Sequence, residues 1–233
     1  MYKKIKQKVC QANKLLVKYK LVFGSWGNVS QIDRDMGIVA IKPSGVAYDE
    51  LEDDMIVIVD VEGDKLEGEL KPSSDTDTHL ELYRNFKSIG GVCHTHSSYA
   101  TMWAQANVEI PCYGTTSADY FYGDIPVTRG MRADEIAEQY ELNTGKVIVE
   151  RFLEMEPDEM KAVLVSGHGP FTWGIDAEQA VEAAAVLEAI SKMAFGTKLI
   201  NPEQKEISRE LLNKHYFRKH GKDAYYGQKQ EDK

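Results

Sequence analysis

The chain has 233 residues, 42% hydrophobic and 28% charged, with a formal net charge of −9. That length fits one large domain or two small ones and forms a core without disulfide staples. The acidic balance argues against nucleic acid as a partner, so an anionic substrate needs locally arranged donors. No apolar run approaches the roughly 20 residues of a membrane span, and the basic start Met1-Tyr2-Lys3-Lys4-Ile5-Lys6 lacks the apolar stretch of a signal peptide. Cys10, Cys93 and Cys112 form no CxxC pair. Cys93 and Cys112 sit in apolar surroundings and read as small core residues, and a reducing cytoplasm is the simplest compartment.

Residues Tyr2 to Tyr19 carry Ile5, Val9, Ala12, Leu15, Leu16 and Tyr19 at a helical period and predict an amphipathic first helix. Leu21-Val22-Phe23 and the segment through Ser30 read as a glycine-punctuated strand–loop–strand. Gly37 to Lys42 is its hairpin partner, ending at Pro43-Ser44-Gly45. Met55 to Asp60 is a β-branched strand, turned back at Glu62-Gly63-Asp64. Pro72-Ser73-Ser74-Asp75 caps a helix from Thr76 to Phe86. Ile89 to Cys93 is a short buried strand running into His94, and Ser98 to Gln105 a short helix. Ile110-Pro111-Cys112 and Ile125-Pro126-Val127 read as strands around a loop, and Val147 opens a helix through Leu153. Ala162 to Val165 and Phe171 to Gly174 are strands, Ala177 to Phe195 and Pro202 to Tyr216 helices, followed by a basic tail bearing tyrosines. With no repeats and no linker, this is one mixed α/β domain.

His94 and His96, two residues apart at the end of a small apolar run, share one strand face, where they either bind a metal or face solvent. His168, between Gly167 and Gly169 after another buried strand, favours the metal. Three histidines at strand ends form an open, catalytic ligand set. Cys93 points to the opposite face and does not belong to it. The turns at Gly27-Asn28, Ser44-Gly45 and Ser73-Ser74 offer backbone N–H groups and small polar side chains, the last just ahead of a helix, where an anion is favoured. Lys42 adds a positive charge. None of these is a nucleotide-binding loop. His79 and His220 read as structural or solvent-facing.

Several segments, in order, resemble the L-ribulose-5-phosphate 4-epimerases, within the wider class II, zinc-dependent sugar-phosphate aldolases. They are Ser25-Trp26-Gly27-Asn28-Val29-Ser30, Ile41-Lys42-Pro43-Ser44-Gly45-Val46, Lys71-Pro72-Ser73-Ser74-Asp75-Thr76 and His94-Thr95-His96-Ser97. Gly114-Thr115-Thr116, Ala118-Asp119-Tyr120-Phe121-Tyr122-Gly123 and Ser166-Gly167-His168-Gly169-Pro170-Phe171 continue the match. Lys214-His215-Tyr216, Arg218-Lys219-His220-Gly221 and Ala224-Tyr225-Tyr226-Gly227-Gln228 close it. One departure is Asp77, where relatives commonly carry proline; both are tolerated in a first helical turn.

The resemblance implies a single-domain α/β/α sandwich over residues 1–233, with a central, largely antiparallel sheet flanked by helices. It implies one Zn²⁺ per subunit held by His94, His96, His168 and Asp75, with Mn²⁺ or Co²⁺ as substitutes. Gly27, Asn28, Lys42, Ser44, Gly45, Ser73 and Ser74 would cradle a sugar phosphate, and Thr115 and His215 would lie near the aldehyde fragment. Asp119 and Tyr226 would be the acid/base pair for C3–C4 cleavage and re-formation, which inverts C4 and turns L-ribulose 5-phosphate into D-xylulose 5-phosphate. A homotetramer is implied, with sites at subunit interfaces and a tail, about residues 214–233, reaching a neighbour's site. An alternative is a class II aldolase releasing dihydroxyacetone phosphate. Those enzymes place a glutamate base where this chain has Asp75 and lack the Ala118–Gly123 and Ala224–Gln228 segments. A third reading is a metal-stabilised interaction module without activity, against which the full set of ligand, acid/base and phosphate residues argues.

Overall fold

The computed structural model describes residues 2–221 and 224–225. The expected amphipathic helix forms as α1 (Lys3–Lys18), burying Val9, Cys10, Ala12 and Leu16 on one side. Leu21-Val22-Phe23 is not a strand. Lys20 adopts a left-handed φ of 58° and the Leu21 N–H bonds back to the Leu16 carbonyl, so this stretch closes the helix end instead of joining a sheet.

β1 (Asn28–Asp33), β2 (Ile38–Ile41), β3 (Val57–Asp60) and β4 (Lys65–Glu67) follow as an antiparallel meander. Met55 falls in a short 3-10 turn, Asp53–Met55, rather than in β3. α2 (Thr76–Asn85) leads to β5 (Gly91–His94), α3 (Ser98–Ala106), α4 (Thr115–Ala118) and α5 (Ala133–Ala137). Around α4 the two expected strands reduce to isolated bridges, Ile110 with Ile125 and Val127 with Leu164. Pro111 and Pro126 lack the N–H groups that a longer ladder needs.

α6 (Tyr140–Arg151) begins well before the expected start at Val147, and α5 was not anticipated. β6 (Ala162–Val165) and β7 (Gly169–Gly174) form a hairpin. α7 (Ala177–Ile200) starts where expected, capped by Asp176 accepting from the Gln179 N–H at 2.9 Å, and runs past Phe195. The last helix, α8 (Arg209–Phe217), starts only at the Ser208 cap, so Pro202 to Ile207 lie outside it.

The strands form one sheet of seven, in the order β4-β3-β2-β1-β5-β7-β6, with every pair antiparallel. Alternation sorts its side chains into two layers. Ile38, Ala40 and Ile58 pack under α1, and Val29 and Cys93 under α1 and α7. Val39, Ile41, Val57, Val59 and Val92 join Leu80, Leu82 and Tyr83 of α2 on the other side. This is the α/β architecture of a central antiparallel sheet flanked by helices. The close approach of α7 to β5 requires Gly91, where an added Cβ would lie 2.2 Å from the Asp176 carbonyl oxygen. No helix of the described residues is long and apolar enough to cross a membrane.

Candidate functional site

The β5–β7 pairing sets His94 opposite Phe171. His168, in the turn just before β7, therefore comes beside the end of β5. His96 lies two residues past the last residue of β5, and its ring joins the other two. Ring centroids are 4.9 Å apart for His94–His96, 4.8 Å for His94–His168 and 5.1 Å for His96–His168. His94 stacks on Phe171 at 4.2 Å and 16°. Its Nδ1 donates to the Pro170 carbonyl at 2.9 Å, which leaves Nε2 as a lone-pair donor.

The set fits a divalent cation. One ligand atom from each imidazole lies within 4.8 Å of the other two. His94 Nε2 and His96 Nε2 are 3.1 Å apart, close to the roughly 3.3 Å that a tetrahedral zinc with bonds of about 2.0–2.1 Å imposes on neighbouring donors. Burial and the adjacent imidazoles of His94 and His96 push His168 down to about 3, and burial likewise lowers His96, so these rings stay neutral and able to ligate.

Asp75 precedes the first turn of α2 and lines the same cleft, outside the tight group of three imidazoles. Its Oδ2 accepts from Asn28 Nδ2 at 2.6 Å. Burial opposes its charge, but His94, His79 and the Asn28 hydrogen bond outweigh that and hold the carboxyl below its ordinary value.

The cleft has a volume of about 530 Å³. Of the residues anticipated from sequence, Gly27, Asn28, Ser44, Gly45, Ser73, Ser74, Asp75, His94, His96 and His168 line it. The two turns after β2 and before α2 are zipped together: the Ser44 N–H donates to the Lys71 carbonyl and the Ser73 N–H to the Lys42 carbonyl, both at 3.0 Å. Gly27, at a φ of 80°, lies so close to β5 that a Cβ would sit 2.8 Å from the His94 carbonyl oxygen.

Lys42 is placed otherwise. It is 1% exposed, its Nζ donates to the Val46 carbonyl at 2.6 Å and sits 4.9 Å from the Tyr48 ring centroid, and burial lowers it to about 8. It braces the turn from behind and does not line the cleft.

Asp119, Thr115 and His215 are not among the cleft-lining residues either. Thr115 opens α4, whose end carries Asp119. Asp119 Oδ1 accepts from His215 Nδ1 at 2.9 Å, and Arg218 clasps both carboxylate oxygens at 2.9 and 2.8 Å. Partial burial opposes its charge, but Arg218 and His215 overcome that and lower its pKa. Tyr226 lies outside the described residues. Both hold structural places: His79 is fully buried, and the partly buried His220 donates from Nε2 to the Asp119 carbonyl at 2.9 Å.

Sequence reasoning did not anticipate Trp26, Tyr140 and Glu141 in the cleft. The Trp26 ring lies 6.1 Å from that of His96. Tyr140 and Glu141 open α6, whose buried face is Thr144, Gly145, Val147 and Ile148. Counting Thr and Gly as small core residues extends the helical period back to Tyr140 and supplies the missing signal.

This fold, with three strand-end imidazoles at the mouth of a polar cleft, matches a known family. The class II aldolase and adducin N-terminal domain model matches residues 7–195, and the chain belongs to that family. Among solved structures, it is similar to an L-fuculose 1-phosphate aldolase at 26% identity and TM-score 0.77, covering 91% of this chain and 94% of that one. An L-fuculose-1-phosphate aldolase from Thermus thermophilus shares the fold at 21% identity and TM-score 0.68, covering 87% and 99%. YgbL from Klebsiella pneumoniae, a putative aldolase/epimerase/decarboxylase, does so at 22% identity and TM-score 0.71, covering 91% and 97%.

Proposed function

We propose that this chain is an L-ribulose-5-phosphate 4-epimerase, which cleaves and re-forms the C3–C4 bond of a pentulose phosphate with inversion at C4. The observation that carries this reading is Asp119, a carboxylate built separately from the one beside the imidazoles and so available as one of two proton-transfer groups. Asp75 stands beside the three imidazoles, held by Asn28, while Asp119 forms a separate imidazole–carboxylate pair with His215 under an Arg218 clasp. Inversion needs proton transfer on two faces of one carbon, and an aldolase has no such need.

His94, His96 and His168, with Asp75 beside them, would hold Zn²⁺. The bound cation would supply Lewis-acid polarisation of the substrate's carbonyl and adjacent hydroxyl. The N–H groups and hydroxyls of the turns at Gly27-Asn28, Ser44-Gly45 and Ser73-Ser74 would bind the phosphate, with Lys42 keeping the second turn in shape. Asp119, partnered by His215, and Tyr226 would take and return the C4 hydroxyl proton on opposite faces, and Thr115 would contact the aldehyde fragment. Because Asp119 stands outside its own chain's cleft, a neighbouring subunit would supply it, together with the 214–233 tail. That arrangement supports the homotetramer.

The likeness to L-fuculose 1-phosphate aldolase supports a second reading, aldol cleavage of a sugar 1-phosphate. Product analysis by NMR on L-ribulose 5-phosphate separates the two. D-xylulose 5-phosphate formed only without chelator is the expected result. Free fragments without epimer would move the chain to the aldolases, and no turnover with or without zinc would leave it a binding module.

A further inference from the structure

Behind the three imidazoles runs a buried polar chain with one loose end. His79, on α2, is fully buried, and the mechanism above does not use it. Its Nδ1 lies 2.7 Å from Ser30 Oγ, which lies 2.8 Å from the Tyr83 hydroxyl. Its Nε2 is buried without a hydrogen-bond partner among the described residues.

Two proton arrangements fit these distances. If Nδ1 carries the proton, Ser30 donates to Tyr83, and both the Tyr83 proton and the bare Nε2 go unmatched. If Tyr83 donates to Ser30 and Ser30 to Nδ1, every link is made and a single N–H, on Nε2, remains. The second leaves fewer buried polar groups unpaired and is the favoured one.

An orphaned buried donor calls for an acceptor in some state of the molecule. Helix side chains lean towards the N-terminus, so residue 79 leans over residue 75 one turn earlier. There Asp75 gives one carboxylate oxygen to Asn28, and its Oδ1 makes no hydrogen bond among the described residues. We propose that His79 is a positioning residue for Asp75: its Nε2–H donates to the oxygen that Asn28 leaves free, gripping the carboxylate from both sides as it turns towards the three histidines. This rests on reading those histidines as a cation site with Asp75 beside it.

The test uses the full-length protein labelled with ¹⁵N-histidine, first stripped of metal. His79 should give an Nε2–H tautomer pattern with a slowly exchanging proton, and Asp75→Ala should shift it. Co²⁺ affinity is then read by chelator competition. His79→Asn, which lacks the far donor, should weaken Co²⁺ about tenfold. His79→Gln, whose amide reaches that position, should recover most of the loss, and His79→Asn should add nothing in the Asp75→Ala background. An Nδ1–H tautomer, a proton indifferent to Asp75, or equal losses in both backgrounds would overturn the proposal. If the wild type takes up no cobalt, the cation reading falls, while the metal-free spectra still decide whether His79 and Asp75 are paired.

Discussion

An alanine at position 27 meets two obstacles: a left-handed φ of 80° and the His94 carbonyl oxygen 2.8 Å from its new Cβ. The backbone there must shift, and it carries one wall of the cleft. Gly27→Ala is expected to lower unfolding stability by about 1–3 kcal/mol in urea denaturation and to weaken phosphate binding. The glycine was legible as part of a turn, but the strand that it touches is far away in sequence. Lys42 teaches the converse. Its charge beside a phosphate-type turn reads as a ligand, yet the fold buries its ammonium on the Val46 carbonyl, a partner four residues on that periodicity does not reveal.

At the scale of elements, α3 begins without a cap of its own, since Ser97 makes no side-chain cap bond. Glu188 of α7 supplies one, its carboxylate accepting from the Tyr99 and Ala100 N–H groups at 3.0 Å. An acid on a helix N-terminus satisfies orphan donors and meets the positive end of the dipole. Glu188→Ala is expected to cost about 1–2 kcal/mol by urea denaturation while leaving cation uptake unchanged. Such a cap is invisible to any pattern confined to neighbouring residues. The elements read correctly, α1, α2, β6 and α7 among them, carry their apolar pattern locally, and α7 its Asp176 cap as well. Those misread depend on partners elsewhere. Leu21-Val22-Phe23 has strand-like residues but no strand to pair with, and α6 hides its first turns behind Thr144 and Gly145, the latter packed against Glu81 of α2.

Across the whole molecule, the buried histidines set an acid limit. His79 and His168 are pushed by burial from about 6.5 to about 3. Between those values the unfolded chain binds protons that the fold refuses, so their contribution is complete above about pH 6.5 and shrinks as pH falls towards 3. Each adds up to about 1.4 kcal/mol per pH unit in that window. Asp75, held below its ordinary value, weakens the fold in the same direction at lower pH. Melting temperatures of the metal-free protein should therefore fall steadily from pH 7 to pH 4. Assembly gives a second expectation. If a neighbour completes each cleft, inactive His96→Ala and Asp119→Asn proteins, unfolded together and refolded, should regain partial epimerase activity. Each alone should stay inactive, and persistent inactivity of the mixture would place Asp119 in its own chain's site.

The sequence alone determined the α/β class, the histidines at the ends of two strands and the three glycine- and serine-rich turns. All of these rest on local spacing, chain reversal and residue chemistry. Only the tertiary structure decided which of them meet. The β5–β7 register carries His168 to His94 from far along the chain, and His96 joins them from two residues past β5. The same packing withdraws Lys42 behind its turn, draws Asp119 to Arg218 and seals His79 beneath the cleft. Contacts between residues distant along the chain are set by how the layers close over one another, and no window along the sequence contains that information.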